Sequence, residues 1–162
     1  MNITFQSYKK DDIGLMVDIW NDILVDGVAF PGEDLYTESE FEDMLKDQSG
    51  VTCILVDDKL AGYYTLHPNN IGRCSHIANA SYAISEEYRG KKLAEPLVKK
   101  SVEQARELGF SGMQFNAVVA GNIGAIHTYQ KVGFQTIGTI PKGFRLKDGV
   151  LSDMYIMFLP FN

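Results

Sequence analysis

The segment 88–94 carries the strongest structural signal in this chain of 162 residues, and it reads Tyr88-Arg89-Gly90-Lys91-Lys92-Leu93-Ala94. It lies between a strand-like run that ends near Ile84 and an amphipathic helical pattern that begins near Leu93. Such a loop presents backbone N–H groups and cations at the N-terminus of a helix, where they bind a pyrophosphate well. The segment therefore predicts an anion-binding turn between a strand and a helix.

A second motif occupies residues 122–134 and reads Asn-Ile-Gly-Ala-Ile-His-Thr-Tyr-Gln-Lys-Val-Gly-Phe. Spacing alone places Tyr129 on the inner face of an amphipathic helix, where core tyrosines also lie. Asn122 is a favourable N-cap for this helix. Together the two motifs resemble the acetyl-CoA-binding half of the GCN5-related N-acetyltransferases, and the resemblance covers essentially the whole chain.

Length and composition predict one globular domain over residues 1–162. The formal net charge of −6 and the pI near 5.0 argue against non-specific nucleic-acid binding. No apolar run approaches the roughly 18 residues of a membrane span, and the N-terminus lacks a signal-peptide pattern, so we expect no membrane partner and a cytoplasmic location. Cysteine and histidine are scattered without metal-ligand spacing, so we expect no metal site and reduced thiols at Cys53 and Cys74.

Hydrophobic periodicity predicts helices that start near Asp12, Thr37, Leu93 and Asn122. Period-two patterns predict strands over residues 2–7, 51–56, 60–67, 75–84, 113–119, 134–145 and 152–159. These patterns alone indicate a mixed α/β domain. The family resemblance implies more: a mixed, mostly antiparallel central sheet of about seven strands, flanked by about four helices, with a V-shaped splay between the fourth and fifth strands.

The resemblance implies acetyl-CoA as cofactor, with coenzyme A as product. Family members carry Arg/Gln-x-x-Gly-x-Gly/Ala at the turn into the third helix, and here Lys92 replaces the middle glycine. Pro96 is a second departure, because proline is easily accepted only in the first turn of a helix. The residues implied in cofactor binding are Tyr82 and Ile84 through main-chain groups, together with Arg89, Gly90, Lys91, Lys92, Leu93, Ala94 and Asn122.

Acetyl transfer to an amine requires a neutral amine, a donor for the developing oxyanion and a proton for the departing thiolate. Tyr129 matches the tyrosine that protonates this thiolate in the family. A main-chain N–H of the strand before the turn is the implied oxyanion donor. The general base stays open among the acidic residues Glu33, Asp34, Glu86 and Glu87, and an amine of moderate pKa needs only a chain of water molecules.

The acceptor-binding residues follow from a narrower resemblance. Asn79 and Asn116 each lie in an apolar strand, where an unpaired amide is costly, so each must hydrogen-bond the fold or a ligand. The sequence around them is similar to that of fungal acetyltransferases acting on azetidine-2-carboxylate and related imino acids. In that case their amides orient a small polar acceptor. The loop after the first helix supplies Phe30 and Glu33 as further acceptor-binding candidates.

The resulting hypothesis is an acetyl-CoA-dependent N-acetyltransferase that acetylates a small amine with amino-acid-like or imino-acid-like character. The acceptor attacks the thioester directly, through a tetrahedral intermediate. Two alternatives stay open: acetylation of a protein N-terminus or lysine side chain, and a non-catalytic acyl-CoA-binding sensor module. A homodimer through the C-terminal strands is common in the family, so the resemblance also allows one here.

Overall fold

A computed structural model describes residues 1–162, which form a seven-stranded sheet with four α-helices. The elements follow in the order β1 (Ile3–Gln6), α1 (Ile13–Asp26), α2 (Glu38–Lys46), β2 (Gly50–Val56), β3 (Lys59–Pro68), β4 (Ile77–Ile84), α3 (Ala94–Glu107), β5 (Gly112–Val119), α4 (Ile123–Val132), β6 (Gln135–Arg145) and β7 (Leu151–Pro160). This is the predicted order, and the bounds agree to the one or two residues by which assignments of element ends ordinarily differ.

The boundaries of α2 and α4 have local causes. Thr37 and Glu40 form a reciprocal capping box at the start of α2, with the Thr37 hydroxyl accepting from the Glu40 N–H at 3.1 Å. The Asn122 side chain caps α4 by accepting from the Ala125 N–H at 3.3 Å. Gly133 ends α4 with a left-handed backbone, φ 116°, which glycine adopts without steric cost.

The strand order is β1-β2-β3-β4-β5-β7-β6, and only the β4–β5 pair is parallel. The prediction of a mixed, mostly antiparallel sheet is therefore confirmed. Successive strand residues face opposite sides of the sheet, so β3 directs Tyr63 to the layer of α1 and α2 and Tyr64 to the layer of α3 and α4. The sheet thus separates two hydrophobic cores.

The sheet splays between β4 and β5, as predicted. The two strands pair only through Ile77 with Gly112 and Ala78 with Met113, and the pairing then ends. A bulge in β5 contributes to the divergence: Asn116 and Ala117 together oppose a single residue of β7. A bulge bends its strand, and here the bend lies where β5 leaves β4.

Candidate active site

A cavity of about 620 Å³ occupies the gap that opens between β4 and β5. Its walls come from the end of α1 and the loop after it, from the ends of β3 and β5, from β4, and from the first turns of α3 and α4. The cavity passes from one face of the sheet to the other, because it is lined both by Asn79 on the α1–α2 side and by Tyr129 on the α4 side. A ligand in the gap is therefore accessible from both faces.

The edge of β4 that faces the gap offers free main-chain groups. Ser85 donates its N–H to β3, whereas the His76 carbonyl accepts from the Ser111 N–H on the β5 side. Because hydrogen-bonding direction alternates along a strand, the even-numbered residues of β4 point toward β5. Beyond the last paired residue, the N–H groups of Tyr82 and Ile84 therefore face the gap. These are the two residues predicted to bind the cofactor through the main chain.

The turn before α3 has the backbone that an anion site requires. Gly90 and Lys92 both adopt left-handed conformations, with φ 76° and φ 61°. Such alternation directs neighbouring N–H groups toward one point, and the turn leads directly into the N-terminus of α3 at Ala94. Lys92 thus reproduces the glycine-like backbone at the position where the family has glycine. Leu93 lies in the core beneath the turn.

Pro96 does not interrupt α3. The helix begins at Ala94, so Pro96 is its third residue and its missing N–H is one that would have no partner inside the helix. The first hydrogen bond of the helix runs from the Leu97 N–H to the Leu93 carbonyl at 3.2 Å. The N–H groups of the turn stay available to an anion.

Arg89 lies between the turn and the rim of the cavity. Its Nε donates to the Ile84 carbonyl at 3.4 Å, and its guanidinium pairs with the Asp26 carboxylate at 3.4 Å. Both charged groups remain partly exposed, so the pair contributes little to stability. Lys91 and Lys92 follow Arg89, so three cations lie within four residues just before α3.

Tyr129 projects from α4 into a cluster of aromatic rings. Its ring centroid lies 4.5 Å from that of Phe115 and 6.1 Å from that of Tyr82. Its hydroxyl makes no hydrogen bond within the chain, and since no buried side-chain oxygen lacks a partner, the hydroxyl opens onto the cavity. Burial raises the pKa of Tyr129 to about 12, so the phenol is protonated at neutral pH and can donate a proton.

The side chain of Tyr82 has a structural role on the same face. Its hydroxyl lies 2.6 Å from the Ser101 hydroxyl and 3.6 Å from the Met113 sulfur. Burial raises the pKa of Tyr82 well above its ordinary value. These contacts fix the ring beside Tyr129 and leave only the Tyr82 main chain for a ligand.

Asn79 and Asn116 meet on the opposite side of the gap through a residue that the sequence analysis did not identify. The Asn69 side-chain oxygen accepts from the Asn79 amide at 2.9 Å and from the Asn116 amide at 2.6 Å. Asn116 also accepts from Gln114 at 2.8 Å. Asn69 lies in the loop after β3, where asparagine is an ordinary turn residue, so no sequence signal marked it. Both amides line the cavity.

Phe30 and Glu33 differ in the cavities that they line. Phe30 lines the main cavity and also a neighbouring one of about 480 Å³, and it packs on Trp20 with ring centroids 4.7 Å apart. Glu33 lines only the neighbouring cavity, which adjoins the main one at Phe30, Pro31 and Ser81. The Glu33 carboxylate pairs with Arg145 at 3.5 Å and is 82% exposed. It therefore lies at the rim, away from the gap between the strands.

The other acidic candidates for a general base lie outside the main cavity. Asp34 is exposed in the loop after α1, and Glu86 and Glu87 are exposed in the short turn that follows β4. The cavity does contain His67, at the end of β3, which the sequence analysis did not consider as a base. No group of three or more His, Cys, Asp or Glu side chains is close enough to hold a metal ion. None of the helices is both long and apolar enough to cross a membrane.

The splay between β4 and β5, beside a turn with a left-handed backbone, can hold an extended ligand between the two strands. The family model of the acetyltransferase (GNAT) family matches residues 16–134. This chain belongs to that family, which uses acetyl-CoA as acyl donor. The prediction of the family and of its fold is confirmed.

Individual relatives agree with this membership. N-acetyltransferase aca1 of Schizosaccharomyces pombe is 29% identical in an alignment of 138 residues that covers 75% of this chain and 66% of that protein, so the chain spans just under two thirds of that relative. L-amino acid N-acetyltransferase AaaT of Escherichia coli is 25% identical in an alignment of 120 residues that covers 72% of this chain and 73% of that one. Among solved structures, a phosphinothricin acetyltransferase from Sinorhizobium meliloti in complex with acetyl-CoA superposes with a TM-score of 0.92 at 21% identity, covering 100% of this chain and 90% of that one.

Proposed function

We propose that this protein transfers the acetyl group of acetyl-CoA to the amine of a small amino-acid-like or imino-acid-like acceptor, and that residues 1–162 act as one acetyltransferase domain. The observation that carries the proposal is the unpartnered, protonated hydroxyl of Tyr129 in the cavity between β4 and β5. A protonated phenol at this place can supply the one proton that the departing coenzyme A thiolate requires.

Each free group around the gap has a part of acetyl-CoA as its partner. The N–H groups of the 90–95 turn, with Arg89, Lys91 and Lys92, bind the pyrophosphate. The Tyr82 and Ile84 main chain pairs with the pantetheine arm as an added strand. One of these N–H groups also stabilises negative charge on the thioester oxygen. Bound acetyl-CoA supplies the activated acyl group, and the protein supplies alignment and the proton.

A small acceptor is favoured because a second segment is tied to the loop after α1, which forms one wall of the cavity. The turn between β6 and β7 reaches α1, where the Lys147 N–H donates to the Gly27 carbonyl at 3.3 Å. The Arg145–Glu33 pair joins the end of β6, next to this turn, to the loop after α1. This closure suits a compact acceptor better than an extended peptide. The names of the relatives aca1 and AaaT, both N-acetyltransferases and one for L-amino acids, support the same class.

The test is thiol release from acetyl-CoA against a panel of alkylamines, L-amino acids, azetidine-2-carboxylate, L-proline and short peptides. We expect release that depends on an amino-acid-like acceptor and falls at least about 10-fold in Tyr129→Phe, since general acids contribute roughly 10²–10⁴-fold and a thiolate is a good leaving group. Tyr8→Phe, outside the cavity, is the matched control. Release with peptides alone would favour the protein acetyltransferase. Binding of acetyl-CoA without release from any acceptor would favour the sensor module.

A further inference from the structure

The cavity contains three ionisable side chains besides tyrosines, and only one of them has no charged partner. Asp26 and Arg89 pair with each other at the rim. His67 lies at the other end of the cavity. We propose that the His67 imidazole is the catalytic base, and that its Nε2 takes a proton from the ammonium group of the acceptor. This inference rests on the proposed function and names a residue for its missing step.

The strand register places His67 on the side from which an acceptor enters. His67 is opposite Asn79 in the β3–β4 pair, and it shares the face of β3 that carries Tyr63 toward α1 and α2. Tyr129 lies on the other face, across the gap. A planar thioester held in the gap thus has a base on the side where the amine attacks and an acid near the sulfur on the other side.

The position along β4 also separates His67 from the alternative base, Asp26. Asp26 contacts Arg89 at the turn that follows Ile84, whereas His67 lies opposite Asn79 near the closed end of the splay. Five residues of strand between Asn79 and Ile84 span about 17 Å. A pantetheine arm running from the turn along β4 carries the thioester away from Asp26 and toward His67.

A second contact determines which ring nitrogen of His67 is the base. The His67 Nδ1 lies 3.0 Å from the Gln48 side-chain oxygen. The Gln48 nitrogen donates to the Met44 carbonyl at 3.2 Å, which fixes the orientation of the Gln48 amide. An amide oxygen only accepts, so Nδ1 carries the hydrogen and Nε2 keeps its lone pair.

The surroundings keep His67 neutral. The groups that face it from neighbouring elements are the Gln48 and Asn79 amides, and Asn69 binds Asn79 in turn. None of these is charged. Burial alone lowers the pKa of His67 from its ordinary value of 6.5, so the imidazole is unprotonated at pH 7.

The reaction removes two protons from the acceptor nitrogen. His67 Nε2 takes one proton from the acceptor ammonium, and the freed nitrogen lone pair forms the C–N bond at the thioester carbon. The C–S bond breaks, and its electron pair leaves with sulfur, which takes the Tyr129 proton. After attack the acceptor nitrogen still carries one proton more than the amide product. This proton passes to the Tyr129 phenolate, directly or through water, and restores the phenol. The imidazolium releases its proton to solvent, so one amide, one thiol and one proton are produced.

The experiment compares His67→Gln with His76→Gln, a matched change at an exposed histidine outside the cavity. The assay is thiol release from acetyl-CoA with the best acceptor of the panel, from pH 5.5 to 10. In the wild type we expect kcat to reach a plateau with an apparent pKa below 6.5. In His67→Gln we expect kcat to fall about 100-fold at pH 7. It should then rise with pH as the acceptor ammonium loses its proton without help from the enzyme. Free imidazole should partly restore His67→Ala, and His76→Gln should match the wild type.

A second measurement needs no turnover. Nitrogen-15 NMR of the free protein should show His67 as the Nδ1–H tautomer with a pKa below 6.5. An Nε2–H tautomer, or a His67→Gln rate within about twofold of wild type with the same pH profile, would overturn the inference alone. A wild type that releases no thiol with any acceptor would overturn the proposed function, and this inference with it. Calorimetric binding of coenzyme A by each variant excludes misfolding as the cause of a lost rate.

Discussion

The Asn116 amide donates to the Asn69 side-chain oxygen at 2.6 Å, which ties β5 to the loop after β3 near the closed end of the splay. The same oxygen accepts from Asn79, so one side chain orients both amides that line the acceptor side of the cavity. We expect Asn69→Ala to raise the acceptor KM about 10-fold, which corresponds to about 1.4 kcal/mol and to roughly one hydrogen bond. Steady-state kinetics measures it.

Asn70→Ala is the control for this prediction. Asn70 accepts only from the Ile71 N–H in the same loop and does not line the cavity. Coenzyme A affinity should be unchanged in both variants, because neither residue approaches the 88–94 turn. Equal acceptor KM values for Asn69→Ala and wild type would show that the amides do not bind the acceptor.

The sequence predicted the elements and their order because each one carries its own periodicity, and because some helices also carry a local cap, as Thr37 and Glu40 do for α2. It also indicated the turn before α3 and the inward position of Tyr129, because both lie in short contiguous motifs. It could not indicate Asn69 or His67, whose partners are distant in sequence or depend on strand register. A contact such as Arg145 with Glu33 joins residues 112 positions apart, and no local pattern encodes it.

Lys92 adopts a left-handed backbone that non-glycine residues enter at a cost, and a β-branched residue enters it least readily. We expect Lys92→Val to be about 1 kcal/mol less stable than Lys92→Gly, after allowing for the larger unfolded-state entropy of glycine. Urea denaturation of the two variants measures this difference. Lys91→Val and Lys91→Gly provide the comparison at a neighbouring position with an ordinary backbone. If the Val–Gly difference in the free energy of unfolding is no larger at position 92 than at position 91, the backbone of Lys92 is not strained.

Lys92 also provides a cation at the proposed pyrophosphate site. We expect Lys92→Gly to bind coenzyme A more weakly at low ionic strength and to lose part of the salt dependence of binding, because a screened charge has been removed. Calorimetric titrations of coenzyme A at low and high salt measure both effects. Unchanged affinity and salt dependence would place the pyrophosphate elsewhere.

Gly62 on β3 allows β4 to approach closely. A Cβ at this position would lie 2.6 Å from the Ala83 carbonyl oxygen, a backbone atom that cannot move without shifting β4. We expect Gly62→Ala to cost about 2 kcal/mol or more in the free energy of unfolding. Since β4 forms the wall of the cavity, coenzyme A should also bind more weakly. Gly121→Ala, where an added Cβ meets nothing within 4 Å, should be nearly neutral.

Cys53 makes the stability of the fold sensitive to alkaline pH. Burial, with a smaller contribution from the negative charge of Asp12, raises the pKa of the Cys53 thiol from 9.0 to about 12. Above pH 9 the unfolded chain therefore loses this proton while the native chain keeps it, so the stabilising contribution is complete below pH 9 and is lost between pH 9 and 12. The slope for one such group approaches about 1.4 kcal/mol per pH unit.

We expect the stability advantage of wild type over Cys53→Ala to shrink by about 1 kcal/mol between pH 8.5 and 10, measured by urea denaturation under reducing conditions. The tyrosines whose pKa burial also raises begin to titrate in the unfolded chain near pH 10, but they contribute equally to both proteins, so the difference between wild type and Cys53→Ala reports on the thiol. Cys74 is exposed, so Cys74→Ala should follow the wild-type profile throughout. Cys53 shares a buried apolar cluster with Tyr63 and Ile13, so we expect its ionisation to be unfavourable in the native protein. Parallel pH profiles for wild type and Cys53→Ala would contradict this, because they would mean that Cys53 ionises as readily in the native protein as in the unfolded chain.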